Sequence, residues 1–250
     1  ELLVRARAAG CTTLVFTVDL PVFATRYRDV RNGMTGGASL SGRLAKIWDL
    51  VSHAGWLLDV PLGGKPLTFG NLAQAVPSAR SLEAMKGWVD AQFDPGVTWK
   101  DLDWLLAATR LPVIVKGILH PDDALRAVDM GAAGIVVSNH GGRTLDTLPA
   151  SLDALPAIAD RLLGRVPILL DGGIQRGSDI FKAIALGASA VLIGRPYIHA
   201  LAATGPLGVA HVIRLLHDEL EATMALCGVA RLEQISTAYL YDNPNRRTEP

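Results

Sequence analysis

The chain has 250 residues, 50% of them hydrophobic and 19% charged, which places it among folded globular proteins and excludes a wholly disordered polypeptide. Its 24 basic and 24 acidic residues cancel, so no global field favours nucleic acid or an anionic surface, and any anion site must be local. No apolar run approaches the roughly 18 residues of a membrane-spanning helix, and Cys11 and Cys227 match neither a disulfide framework nor a metal spacing, which makes a reducing compartment the default.

Glu1 is not a Met, and ELLVRARAAG already has helical spacing with no cap before it, so the chain reads as starting inside a helix. TTLVFTVD (12–19) is the first expected strand, short and apolar, ending in Thr17 and Asp19 with Arg26 seven residues beyond. The rhythm then breaks from Asp29 to about Asp101, through RNGMTGGASLSG, RLAKIWDLVSHAGWLLDVPLGG and an expected helix at SLEAMKGWVDAQF. A connection this long is expected to be functional or mobile. Core packing is the first expectation for its Trp48, Trp56, Leu57 and Leu58, with an exposed patch for a membrane interface as the alternative.

Regular alternation follows. Strands are expected at 112–117 (PVIVKG), 134–140 (GIVVSNH), 166–173 (VPILLDGG) and 188–196 (ASAVLIGRP), and helices at 122–131, 152–164 and 178–187. Asp122 and Ser178 are candidate caps, and glycines stand where helix stops are expected. Residues Gly208 to Cys227 read as an amphipathic helix closing the last unit, and the tail YDNPNRRTEP is polar.

Strand–helix alternation implies a parallel α/β sheet. A TIM (β/α)8 barrel is favoured over a Rossmann sheet because several strand ends carry polar groups at once, and barrel enzymes collect their active sites there. About five of eight strands are present, with the other three expected before Glu1. Residues 1–250 are therefore read as one amino-terminally truncated domain with a long insertion loop at 30–100.

The polar groups at these ends form a set. Lys116 closes the second strand; the third delivers Ser138, His140 as a side chain suited to taking a proton near neutral pH, Gly141 and Gly142, and in Arg143 a planar fork for a carboxylate or phosphate. Asp171, Gly172 and Gly173 follow the fourth strand, and Gly194 and Arg195 the fifth. DGGIQRG and IGRP thus fall where barrels bind phosphate, at helix N-termini, with Arg195 or Arg176 to supply charge.

TVDLP, VKGIL, SNHGGR, DGGIQRG and ALGASAVLIGRP, in this order, resemble the FMN-dependent α-hydroxy acid dehydrogenase and oxidase family. RYRDVRNGM and FDPGVTWKDL resemble most its bacterial L-lactate dehydrogenases. The resemblance implies an FMN-linked barrel enzyme that oxidises an L-2-hydroxy acid, L-lactate first, to the 2-oxo acid. L-mandelate, glycolate or a catalytically incomplete fragment are the alternatives.

It implies His140 as proton acceptor, Asp19 as its carboxylate partner, and Arg26 and Arg143 as the substrate carboxylate clamp. Lys116 would face the flavin ring edge. Thr17 and Ser138 would bond the flavin, and Asp171, Gly172, Gly173, Arg176, Gly194 and Arg195 would form the ribityl and phosphate shell. Gln175 departs from the Arg usual in relatives. No metal is implied, and His53, His120, His199, His211 and His217 are expected to be structural or solvated.

The family further implies a quinone, cytochrome or oxygen as electron acceptor and a homo-tetramer when complete. It also implies a cytoplasmic location, with residues 44–62 attaching peripherally to the cytoplasmic face of the membrane. No nucleic-acid partner is expected.

Overall fold

The computed structural model describes residues 2–22, 40–59, 62–63 and 87–241. They fall into two compact units, one built from residues 1–19 and 97–250 and the other from 20–96. In chain order the elements are α1 (Leu2–Ala8), β1 (Leu14–Thr17), α2 (Leu40–Ser52), α3 (Ala54–Asp59), α4 (Trp99–Ala108), β2 (Val113–Ile118), α5 (Pro121–Asp129), β3 (Gly134–Val137), α6 (Ser151–Leu162), β4 (Ile168–Asp171), α7 (Gly177–Ala185), β5 (Ala190–Leu192), α8 (Arg195–Thr204) and α9 (Pro206–Leu226). β1, β3, β4 and β5 lie inside their expected segments and are shorter, because the residues past each C-terminal end leave the ladder for the loops, whereas β2 keeps the expected length but is shifted by one residue, ending at Ile118 rather than Gly117.

The five strands form one parallel sheet in the order β1-β2-β3-β4-β5, so each strand pairs with its predecessor. Side chains alternate between the two faces of a strand. Val113, Val115, Ile135, Val137, Ile168 and Leu170 point to one face and are buried with Leu102, Leu105, Ala124, Leu155, Ile158 and Leu162 of the covering helices. By register the opposite face carries Val15, Thr17, Ile114, Lys116, Val136, Leu169, Asp171 and Leu192.

Val136 at the centre of that second face is 1% exposed, whereas Val15 and Leu192 on the outer strands are 51% and 37% exposed. Parallel sheets are ordinarily covered on both faces. Here the helices cover one, and the other presents Lys116 and Asp171.

The helix starts differ from expectation in one respect. His120, not Asp122, caps α5 through Nδ1, which accepts from the Asp122 backbone N at 3.2 Å. Pro121 fits the first helical position because its missing N–H has no helical acceptor to lose, and this draws the start back. Ser178 likewise lies within the first turn of α7, where Asp179 Oδ2 accepts from Gln175 N at 3.0 Å and Arg176 N at 2.9 Å. At α4 the Asp101 carboxylate accepts from Thr98 N at 2.6 Å and Thr98 Oγ1 at 3.0 Å. These bonds, the backbone one first, hold its pKa below the ordinary value, so this start is firmest above the carboxylate range and loosens as pH falls through the lowered value.

In the second unit, helical periodicity gathers Leu44, Ile47, Trp48 and Val51 along one stripe of α2, and that stripe is exposed, Trp48 by 74%. Trp56 and Leu58 are exposed too, and Leu57 is half-buried. Core packing is therefore not the fate of Trp48, Trp56 or Leu58. Among the described residues no helix is long and apolar enough to cross a membrane.

Candidate active site

The chemistry gathers at the C-terminal ends of neighbouring strands because a parallel sheet brings those ends together. From the end of β2, Lys116 Nζ donates to Ser138 Oγ at 2.9 Å and pairs with Asp171 Oδ2 at 2.9 Å. The Lys116 and Asp171 side chains are each 17% exposed, so the pair is poorly screened. The other carboxylate oxygen, Asp171 Oδ1, is buried with no hydrogen-bond partner. Buried acceptors are rarely left so, which makes this atom a place for a ligand donor.

Past β3 the chain turns sharply. His140 has a left-handed φ of 56°, and Gly141 and Gly142 continue the turn at 65° and 68°. A non-glycine residue in this region costs of order 1–3 kcal/mol and is characteristic of functional sites. The turn is held at both ends: His140 N donates to Ser138 Oγ at 3.0 Å and Gly142 N to Asn139 O at 3.0 Å. Asn139 N and Nδ2 donate to Ser151 Oγ at 3.1 Å and Pro149 O at 3.2 Å, tying the loop to the start of α6.

Asp19, just beyond β1, meets this ring. His140 Nδ1 lies 3.0 Å from Asp19 Oδ1 and 3.2 Å from Oδ2. An ionised carboxylate only accepts, so Nδ1 carries the hydrogen, and in the neutral ring Nε2 is the atom with a lone pair. The carboxylate also stabilises the positive charge the ring acquires on taking a proton.

Beside the ring opens a cleft of about 720 Å³, lined by Lys116, His140, Arg143, Asp171, Gly172, Gly173, Gly194 and Arg195 among others. Arg195 is the first residue of α8, so the N-terminus of that helix faces the cleft, and its Nη2 donates to Gly141 O at 2.6 Å. Tyr197 and His199 also line it, neither assigned there by sequence motif; helical phase, four residues after Arg195, could have indicated His199, and no sequence signal indicated Tyr197. Gln175 lines the cleft, whereas Arg176, exposed at the start of α7, is not among its lining residues. Thr17 is exposed at the end of β1 in register with Lys116. Arg26 lies outside the described residues.

A phosphorylated flavin suits this donor set. The unpartnered Asp171 Oδ1 offers an acceptor for a polyol or ring donor, and Lys116 a cation. Nothing occupies the space a side chain would take at Gly173 or Gly194, so a ligand can approach the backbone there. Elsewhere, His217, Asp218 and Glu221 of α9 form an exposed cluster with ion-pair distances of 3.6 and 3.7 Å, away from the cleft-lining residues.

A parallel α/β sheet whose strand ends present a carboxylate-paired histidine, a half-buried lysine and an arginine-bearing helix N-terminus is an arrangement that fits a barrel oxidoreductase of the flavin type. Residues 1–242 match the family model described as FMN-dependent dehydrogenase, and the chain belongs to that family, whose cofactor is FMN. It is 47% identical over 240 residues to the L-lactate dehydrogenases of Alcaligenes faecalis and of Caulobacter sp. (strain K31). In both cases 96% of this chain aligns with 62% of the relative, so the chain spans under two thirds of their length.

Among solved structures it is similar to the monotopic membrane protein (S)-mandelate dehydrogenase, with TM-score 0.87 and 35% identity over 96% of this chain and 63% of that one. It is also similar to mandelate oxidase with (S)-4-hydroxymandelic acid, with TM-score 0.74 and 39% identity over 93% of this chain and 58% of that one. The five strands and their helices are thus part of a TIM barrel of the flavoenzyme type.

Proposed function

We propose that this chain oxidises an L-2-hydroxy acid, L-lactate first, to the 2-oxo acid, with FMN taking the electrons. The observation that carries the reading is the Asp19–His140 pair, 3.0 Å apart beside a cleft that also holds Lys116 and Arg143. When bound, FMN supplies the capacity to accept two electrons from the substrate C2. Asp171, the glycines Gly172, Gly173 and Gly194, and Arg195 would hold it, with Lys116 at the ring edge, where a fixed cation raises electron affinity.

The chain's own residues do the rest. Arg143 holds the substrate carboxylate by a charge-assisted contact, with Arg26 as its partner in that task, and so orients C2. His140 Nε2 accepts a proton from the hydroxy acid as C2 is oxidised, and Asp19 fixes the ring through Nδ1 while stabilising the charge it gains.

The test is the visible spectrum of the chain loaded with FMN and freed of excess flavin, followed by anaerobic L-lactate and L-mandelate. Bleaching by L-lactate at a higher kcat/KM than by L-mandelate is expected. Faster bleaching by mandelate would overturn the substrate assignment, and no bleaching by either would overturn the reaction.

We further propose peripheral membrane attachment through residues 44–62, with a membrane electron acceptor such as a quinone. The exposed stripe of Leu44, Ile47, Trp48 and Val51 supports it, since it presents one apolar face of the kind that lies in a bilayer interface. Replacing both Ile47 and Trp48 by Ser is expected to weaken sedimentation with vesicles at least tenfold, at about 1.5–3 kcal/mol per buried side chain. Unchanged sedimentation would count against this segment.

A further inference from the structure

Gly117 stands next to the site without belonging to its polar set. In β2, Lys116 pairs with Val136 and Ile118 with Val137, so Gly117 is the extra residue of a bulge. Its φ is +105°, a conformation that glycine adopts and other residues avoid. A Cβ built on it would lie 2.6 Å from Asp19 Cβ, 2.7 Å from Asp19 Cγ and 3.0 Å from the Asp19 backbone N. The missing side chain is therefore the slot that the Asp19 carboxyl group fills.

The surroundings leave little freedom to yield. Val18 N donates to Lys116 O at 2.9 Å, which ties the chain just before Asp19 to the residue just before Gly117. The Asp19 side chain is the softer element, and it is the one that holds His140 Nδ1 at 3.0 and 3.2 Å. A carboxylate pushed aside by about an ångström no longer makes these bonds, since hydrogen bonds weaken steeply past roughly 3.2–3.5 Å.

We propose that Gly117 is the positioning residue of the Asp19–His140 pair: the bulge, one residue after Lys116, leaves a side-chain-free slot that fixes the carboxylate against the imidazole. Gly117 touches neither substrate nor flavin in this role and acts through Asp19. The inference rests on the reading of the pair as the proton-handling element, and its first readout does not need activity.

That readout is the ring 15N spectrum of 15N-histidine-labelled protein, at a pH where histidine rings are neutral, with His140 assigned by its loss in His140→Gln. The parent is expected to show His140 protonated at Nδ1. Gly117→Ala is expected to show a mixture of the two ring tautomers. A retained Nδ1–H signature in Gly117→Ala overturns the proposal.

If Gly117→Ala does not fold, Gly117→Ala combined with Asp19→Gly removes the carboxyl group and Cβ from the slot. A recovered dispersed spectrum supports the proposal, and continued unfolding overturns it. In turnover, Gly117→Ala is expected to lower kcat at least tenfold with KM within about threefold, and to add nothing to Asp19→Asn. Multiplying losses in the double variant would overturn it. A chain that proves inactive toward hydroxy acids would sink the functional reading while leaving the spectral result to decide this one.

Discussion

His140→Gln is expected to retain FMN while bleaching of the flavin by L-lactate slows by about 10²–10⁴-fold, the range a positioned proton acceptor supplies. The substitution removes Nε2 as a base yet leaves a polar side chain in a loop whose other anchors include the backbone of Asn139, His140, Gly141 and Gly142 and the Asn139 side chain. Flavin affinity is expected to change little, since most of the groups that would hold the flavin come from other strand ends and the substitution leaves Ser138 in place. Asp19→Asn is expected to slow the same step by less, because an amide can still bond the ring yet no longer stabilises its charge and can favour the wrong tautomer. A His140→Gln protein that bleaches at the parent rate would remove His140 from the mechanism. One that loses flavin would assign it a binding role instead.

Lys116→Met has a different signature. It leaves Asp171 with both oxygens unpaired in a mostly buried position and deprives Ser138 Oγ of one of its donors. Breaking a fully buried pair costs about 3–5 kcal/mol, and the 17% exposure of each side chain brings the expected loss to about 2–3 kcal/mol in denaturant unfolding. Flavin that still binds is expected to be harder to reduce, as the ring edge has lost its cation. Adding Asp171→Asn should restore part of the stability, since no uncompensated charge then remains, while restoring none of the reduction potential. If the double variant is as unstable as Lys116→Met alone, the ion pair is not what Lys116 contributes to the fold.

How much of this was legible beforehand varies by element. The five strands were, because each is an apolar run bounded by polar or glycine residues, and the parallel sheet followed from the alternation. The helix stops were too, since Gly131, Gly164 and Gly187 all adopt positive φ at or just past the helix ends. The starts were not: a cap depends on which nearby side chain reaches the free N–H groups, and His120 and Asp179 reach them where Asp122 and Ser178 were expected. The fate of Trp48 was also undetermined, because an apolar stripe has the same sequence pattern whether it is covered or exposed.

The sequence by itself determined which strand ends carry chemistry, since motif residues sit at set distances from each apolar run, and it determined the family through the order of those motifs. Only the tertiary structure decided which of them meet. The 121-residue separation between Asp19 and His140 closes to 3.0 Å because β1, β2 and β3 lie side by side, and no local spacing encodes that approach. Gly117 is the same lesson in reverse: as the glycine of VKGIL it carries no sign in sequence of a link to Asp19, and it acquires one only when the fold brings the Asp19 carboxyl group into the space a side chain would fill.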